Sequence, residues 1–295
     1  MESSEDLLPP APRRRRQRGV KLTLKACLRN DAGVMIAGMR NFDHHKWLDD
    51  AQKSRETYQQ AISLKPDDPR GYCGLGWALY NLGKYREAEK PLRRAVALKP
   101  DDYYAHYHLG LVLSGLRRWA DAQFELLRSI QLQPEYPDAH YSLAVTYTKQ
   151  RRFADAATEC QEALRLKPEY ADAQFCLGAT YFKLHEYDKA VAAYTEALRI
   201  NPNHVPAAAN LGWLYFDLGK FEQAADVLAQ AIKVAPKWGT EIPDRLRADY
   251  PRLYLKLGAA LAKTGNLKSA LKQYRTLRRF DRVAAAKLLN IIKSK

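Results

Sequence analysis

Between residues 69 and 236 the order of apolar and polar positions restarts every 34 residues without a single insertion. The clearest echo is LGWALYNLGKYREA at 75–88 and LGWLYFDLGKFEQA at 211–224, which lie 136 residues, or four periods, apart. With Pro69 as position 1, positions 4, 7, 8 and 11 fall on one face of a helix, and positions 17, 20, 24 and 27 on one face of a second. Positions 7 and 8 read Leu75-Gly76, Leu109-Gly110, Leu143-Ala144, Leu177-Gly178 and Leu211-Gly212. Position 20 is Ala88, Ala122, Ala156, Ala190 and Ala224, and position 27 is Ala95, Ser129, Ala163, Ala197 and Ala231. Proline stands at position 32 in every period: Pro100, Pro134, Pro168, Pro202 and Pro236. Each period therefore predicts two antiparallel helices and a turn.

The residue sizes explain why the two helices pair. Small residues at positions 8 and 20 let the axes cross closely, and a larger side chain there costs roughly 1–3 kcal/mol through overpacking. Aromatic residues at position 17 (Tyr85, Trp119, Phe153, Tyr187, Phe221) fill the space beside the crossing. The proline cannot continue the second helix and restricts the residue before it. Acidic residues after it, as in KPDD, QPEY and KPEY, suit the positive end of the next helix.

The flanks depart from this register. Residues 35–68 read as a degenerate first repeat, with Trp47, Ala51, Tyr58 and Ala61 on one longer helix. KLGAALAKTGNLKSALKQY restores the pattern at Leu257, Gly258, Ala270 and Tyr274, but 12 residues late. Residues 237–250 are thus an insertion, 251–282 a last repeat, and 283–295 a helix that caps the final apolar face. Residues 1–34 form a basic tail, rich in proline and arginine near its start, that is expected to be disordered.

This register resembles the tetratricopeptide repeat, with Leu-Gly at positions 7 and 8, small residues at 20 and 27, and proline at 32. The resemblance covers residues 35–282, and Ala144 in place of glycine still leaves a small residue. It implies an all-α fold, an α-α superhelix or solenoid of antiparallel helix pairs with a C-terminal capping helix. It also implies a scaffold that binds a segment of a partner protein on its concave side; the chain is further expected to be cytoplasmic from its cysteines, and non-enzymatic and without a cofactor from its lack of catalytic motifs.

The net charge of +15 suggests a nucleic-acid binder, but its distribution changes that picture. Residues 35–250 hold 28 Lys+Arg against 28 Asp+Glu, residues 1–34 hold 8 against 4, and residues 251–295 hold 12 against 1. The middle is neutral and the ends are basic. Cysteines 27, 73, 160 and 176 form no C-x-x-C pair and read as reduced thiols. No apolar run is long enough to cross a bilayer, and VKLTLKACL is broken by Lys21 and Lys25, which excludes a secretory h-region.

Catalytic patterns are missing: there is no G-x-x-x-x-G-K-[ST], H-E-x-x-H or G-x-S-x-G. GYCGLG at 71–76 falls inside a helix by register, which argues against a phosphate loop. His106 and His140, both at position 4, read as packing residues, and the register supplies no further ligands for a metal site. Repeats of this kind also occur fused to peptide glycosyltransferases, but the chain has no room for such a domain.

Two surfaces remain as candidates. Positions 5, 9 and 12 of each first helix form a second face that includes Trp77, Tyr80, Tyr107, Tyr141, Phe175, Phe182, Trp213 and Phe216. These rings either pack between neighbouring first helices or line a concave groove for a peptide. A carboxylate clamp of the kind some members use needs Lys at 5 and Asn at 9; those positions are apolar here, and the nearest match is Asn210 at position 6. The second surface is a stripe of Lys268, Lys272, Arg275, Arg279 and Arg282, joined by Arg278, which is either a solvated face or a contact for an anionic partner. The expected function is a protein-binding scaffold. The alternatives are an adaptor that docks on nucleic acid or anionic membrane through its basic ends, and self-association into a homo-oligomer.

Overall fold

The computed structural model describes residues 44–234 and 249–294. The expected tail at 1–34, Cys27 and the expected insertion up to residue 248 lie outside them. Among the described residues there are fourteen α-helices and no strand. The all-α fold class expected from the register is thus the one observed. None of these helices is long and apolar enough to cross a membrane.

The described residues fall into two compact units, divided between Arg152 and Phe153. That boundary runs between the two helices of the third regular repeat. The first unit holds α1 (His44–Leu64), α2 (Pro69–Asn81), α3 (Tyr85–Leu98), α4 (Tyr103–Gly115), α5 (Trp119–Leu132) and α6 (Pro137–Lys149). The second holds α7 (Phe153–Leu166), α8 (Ala171–Lys183), α9 (Tyr187–Ile200), α10 (Val205–Asp217) and α11 (Phe221–Val234). It ends with α12 (Asp249–Lys263), α13 (Leu267–Arg278) and α14 (Arg282–Lys293). Within each unit every helix packs on its chain neighbours, and first helices of successive repeats also touch: α2 with α4, α4 with α6, α8 with α10 and α10 with α12. The last helix, α14, packs on both α12 and α13, as a cap must.

The close crossings fall where the small residues stand. A Cβ built on Gly76 would lie 2.3 Å from Leu92 Cγ, one on Gly110 2.7 Å from Leu126 Cγ, and one on Gly178 2.7 Å from the Tyr194 ring. In each case glycine is the seat for a position-24 side chain of the partner helix. Gly258 seats Leu288 of α14 in the same way, at 2.4 Å. GYCGLG lies within α2 as the register requires. There Gly74 faces the Tyr58 ring of α1, at 2.2 Å from a built Cβ.

Helix starts follow the acidic residues after each proline only in part. Asp68 accepts from the Arg70 N–H, and Asp102 from those of Tyr104 and Ala105. Pro69 and Pro137 occupy the first turns of α2 and α6, where a missing N–H costs nothing.

One backbone feature recurs at position 15 of each repeat, in the turn between paired helices. Gly83, Gly219 and Gly265 adopt φ of 74°, 76° and 80°, and Arg117, Arg151 and His185 adopt 62°, 63° and 62°. A left-handed backbone costs a residue with a Cβ about 1–2 kcal/mol, and glycine almost nothing. The Arg151 side chain is exposed and has no partner among the described residues. Arg151→Gly is therefore expected to raise stability by about 0.5–1 kcal/mol, after allowing for the extra freedom of glycine in the unfolded chain. Urea unfolding of the two chains measures the difference.

Candidate functional site

Positions 5, 9 and 12 of the first helices behave differently in the two units. In the first, Tyr80, Tyr107 and Tyr141 are only 0%, 4% and 0% exposed, so they are core residues and not the open groove lining expected of them. The reason is that α4 is buried without a break from Ala105 to Gly115, and α6 from Ala139 to Tyr147. A helix that is apolar on two faces is enclosed on both. Tyr80 stacks on Trp77 at 5.3 Å and tilts against Tyr85 at 5.5 Å. Tyr107 meets the edge of Tyr136 at 5.0 Å. Trp77 alone of this unit's four expected groove residues is half-buried; its ring lies 4.4 Å from that of His108.

In the second unit all four expected residues, Phe175 and Phe182 on α8 and Trp213 and Phe216 on α10, are half-buried. Each phenylalanine is supported by a neighbouring ring: Phe175 by His204 at 5.1 Å and Tyr194 at 5.9 Å, Phe182 by Tyr187 at 5.8 Å, and Phe216 by Phe221 at 5.3 Å. Lys256 of α12, which the sequence did not single out, places its Nζ 4.1 Å over the Phe216 ring and 3.0 Å from an Asp217 carboxylate oxygen. Cation–π attraction and the ion pair together hold this ammonium at the edge of the row. Lys183 Nζ lies 5.8 Å from the Phe182 centroid. The second unit thus presents four partly covered aromatic side chains with lysines beside them.

His106, His108 and His140 are buried. His106 is buried, with Nδ1 2.6 Å from a Glu125 carboxylate oxygen and Nε2 3.0 Å from the Pro100 carbonyl. Both ring nitrogens face acceptors, an arrangement that favours the doubly donating imidazolium form. Burial lowers its pKa, and the nearby Arg128 charge lowers it further. The hydrogen bonds to Glu125 and Pro100 and the charge of Glu125 outweigh both, so the net shift is upward. His140 likewise faces a proline carbonyl, with Nε2 2.9 Å from that of Pro134. His108 is fully enclosed, without a hydrogen-bond partner on either ring nitrogen, and burial pushes its pKa down to about 3. It is neutral and acts as an aromatic spacer.

Cys73 and Cys160 are poor nucleophiles. Burial pushes Cys73 up to about 12, and burial together with its neighbour Cys176 raises Cys160 well above the usual thiol range. No group of three His, Cys, Asp or Glu among the described residues could hold a metal ion. The basic stripe is present as a surface: Lys268, Lys272, Arg275, Arg278, Arg279 and Arg282 are all exposed.

Comparison with known families and structures agrees with this architecture. Family models described as tetratricopeptide repeat match residues 73–140, 107–171, 141–205 and 181–242, and a TPR repeat model matches 50–83. No match is found among curated proteins. Among solved structures, pilF of Pseudomonas aeruginosa is similar over 82% of this chain and 99% of its own, with a TM-score of 0.63 at 18% identity. A thermophilic TPR protein of Thermus thermophilus is similar over 63% of this chain and 99% of its own, with a TM-score of 0.54 at 26% identity. YrrB, described as a TPR protein with an unusual peptide-binding site, covers 62% of this chain and 95% of its own, with a TM-score of 0.50 at 22% identity.

Proposed function

We propose that this chain, which belongs to the tetratricopeptide repeat family, is a scaffold that grips a segment of a partner protein against α8 and α10 of its second unit. The observation that carries this reading is the half-burial of Phe175, Phe182, Trp213 and Phe216 on two packed first helices. A side chain such as these can bury roughly 150–250 Å² in total, and one already ordered by its neighbours loses little entropy when a partner covers the remainder. Lys256 and Lys183 add a positive edge that suits a partner carrying a carboxylate close to its apolar side chains. The peptide-binding description of the similar YrrB accords with this use of the fold.

Replacing Phe175, Phe182, Trp213 and Phe216 together by alanine is expected to abolish capture of the partner in a pull-down; because all four also pack against the core, the comparison is made at a temperature where circular dichroism shows the variant still helical. Phe124→Ala serves as the control, since Phe124 is 67% exposed on α5 and belongs to the other unit. Undiminished capture by the fourfold variant would remove the basis of the reading. Capture should also change little with salt, because apolar contacts rather than released counterions supply the affinity.

A further inference from the structure

Lys268, Lys272, Arg275 and Arg279 recur at intervals of 4, 3 and 4 residues along α13 and its C-cap. At 100° and 1.5 Å per residue they fall within an arc of about 60° and along a line of about 16 Å. Arg278 flanks this line, and Arg282 begins α14 just beyond it. All six side chains are exposed, and none makes an ion pair among the described residues. Elsewhere in the unit Arg165, Lys189 and Arg199 each pair with a glutamate three residues earlier. Asp281, the one carboxylate side chain in the sequence from 251 to 295, caps α14, accepting from the Ala284 N–H at 2.8 Å. Like charges three and four residues apart weaken a helix; the negative end of α13 partly offsets this for Arg275, Arg278 and Arg279, but not for Lys268 and Lys272 in its first half.

We propose that this ridge is a sequence-independent docking site for the phosphate backbone of a double-stranded nucleic acid. A single-file line of cations suits a duplex, whose phosphates succeed one another about every 3.4 Å of axis on each strand. Four of the six cations are arginines, whose planar guanidinium engages phosphate oxygens in pairs. A bilayer fits less well. The apolar face of α13, with Ala270 and Leu277, is buried in the core, and the exposed Leu267 and Val283 sit at the two ends of the ridge rather than along it. The site is separate from the aromatic row and does not depend on it.

The test uses the full chain and a short fluorescein-labelled duplex, read by fluorescence anisotropy at 50 and 200 mM salt. Four phosphate contacts imply a loss of affinity on the order of 10²-fold between those concentrations. In the variant K268Q/K272Q/R275Q/R279Q, affinity at 50 mM salt is expected to fall at least tenfold, and the salt dependence to become shallower by about four contacts. The substituted side chains are exposed, so circular dichroism should not change. Three results would overturn the proposal: no binding of the duplex at 50 mM salt, equal binding and salt dependence in the variant, or displacement of the duplex by phosphatidylserine vesicles at matched phosphate.

Discussion

Gly212→Val is expected to lower the stability of the second unit by roughly 1–3 kcal/mol, or several degrees in Tm. The new Cβ would stand 2.5 Å from Leu228 Cγ and 2.7 Å from its Cδ2. Leu228 is fully buried, so it has no solvent side into which to retreat, and the helices must separate instead. Valine recovers only a few tenths of a kcal/mol in helix propensity over glycine, too little to change the sign. The cause can be isolated with a double-mutant cycle of Gly212→Ala and Leu228→Cys. The pair should be less destabilising than the sum of the two singles, because the thiol vacates the space that the methyl group enters. The sequence follows the same size rule where position 8 is alanine: position 24 of that repeat is Cys160, against Leu92, Leu126, Tyr194 and Leu228 elsewhere. Additive effects would show that the glycine and the leucine are not complementary.

Glu125→Ala is expected to destabilise the first unit by about 3 kcal/mol, toward the lower end for removing one partner of a buried ion pair, because imidazole can discard its proton. The pH dependence carries the signature. Folding raises the pKa of His106 above its unfolded value near 6.5. Its contribution is therefore complete below about pH 6, where both states are charged, and is lost as pH rises through the folded-state value. Urea unfolding of the wild-type chain from pH 6 to 9 should show this decline. In Glu125→Gln the amide oxygen still accepts from Nδ1 but the charge is gone, so the pKa of His106 drops and the decline shrinks. A decline of equal size in both chains would place its origin elsewhere.

The fold was legible because several independent residues repeat at one spacing. Leu-Gly at 75–76 and 211–212, alanine at position 20 and proline at position 32 each restrict the same helix pair, and the helices α2 to α11 begin and end where those residues require. The left-handed turn residue was legible only where glycine marks it. Arg117, Arg151 and His185 take the same conformation without a sequence signal, because the two helices they join dictate the path.

The candidate site was legible in type but not in exposure. An aromatic ring at position 5 or 12 reads the same whether the next repeat covers it, as with Tyr107, or leaves part of it open, as with Phe182. The composition of α4 held a clue: YYAHYHLGLVLSG offers no Asp, Glu, Lys or Arg to any face, and such a helix is enclosed. The His106–Glu125 pair and Lys256 over Phe216 escaped notice because their partners lie 19 and 40 residues apart, on different helices.

The central claim is that a partner segment lies against the aromatic row of α8 and α10. Site-specific photocrosslinking in the cells that make the protein tests it most directly, with benzoylphenylalanine placed in turn at Phe182, at Trp213 and at the surface-facing Phe124. The account expects the same crosslinked species from Phe182 and Trp213 and none of it from Phe124. Crosslinking confined to Phe124, or equal at all three positions, would contradict it.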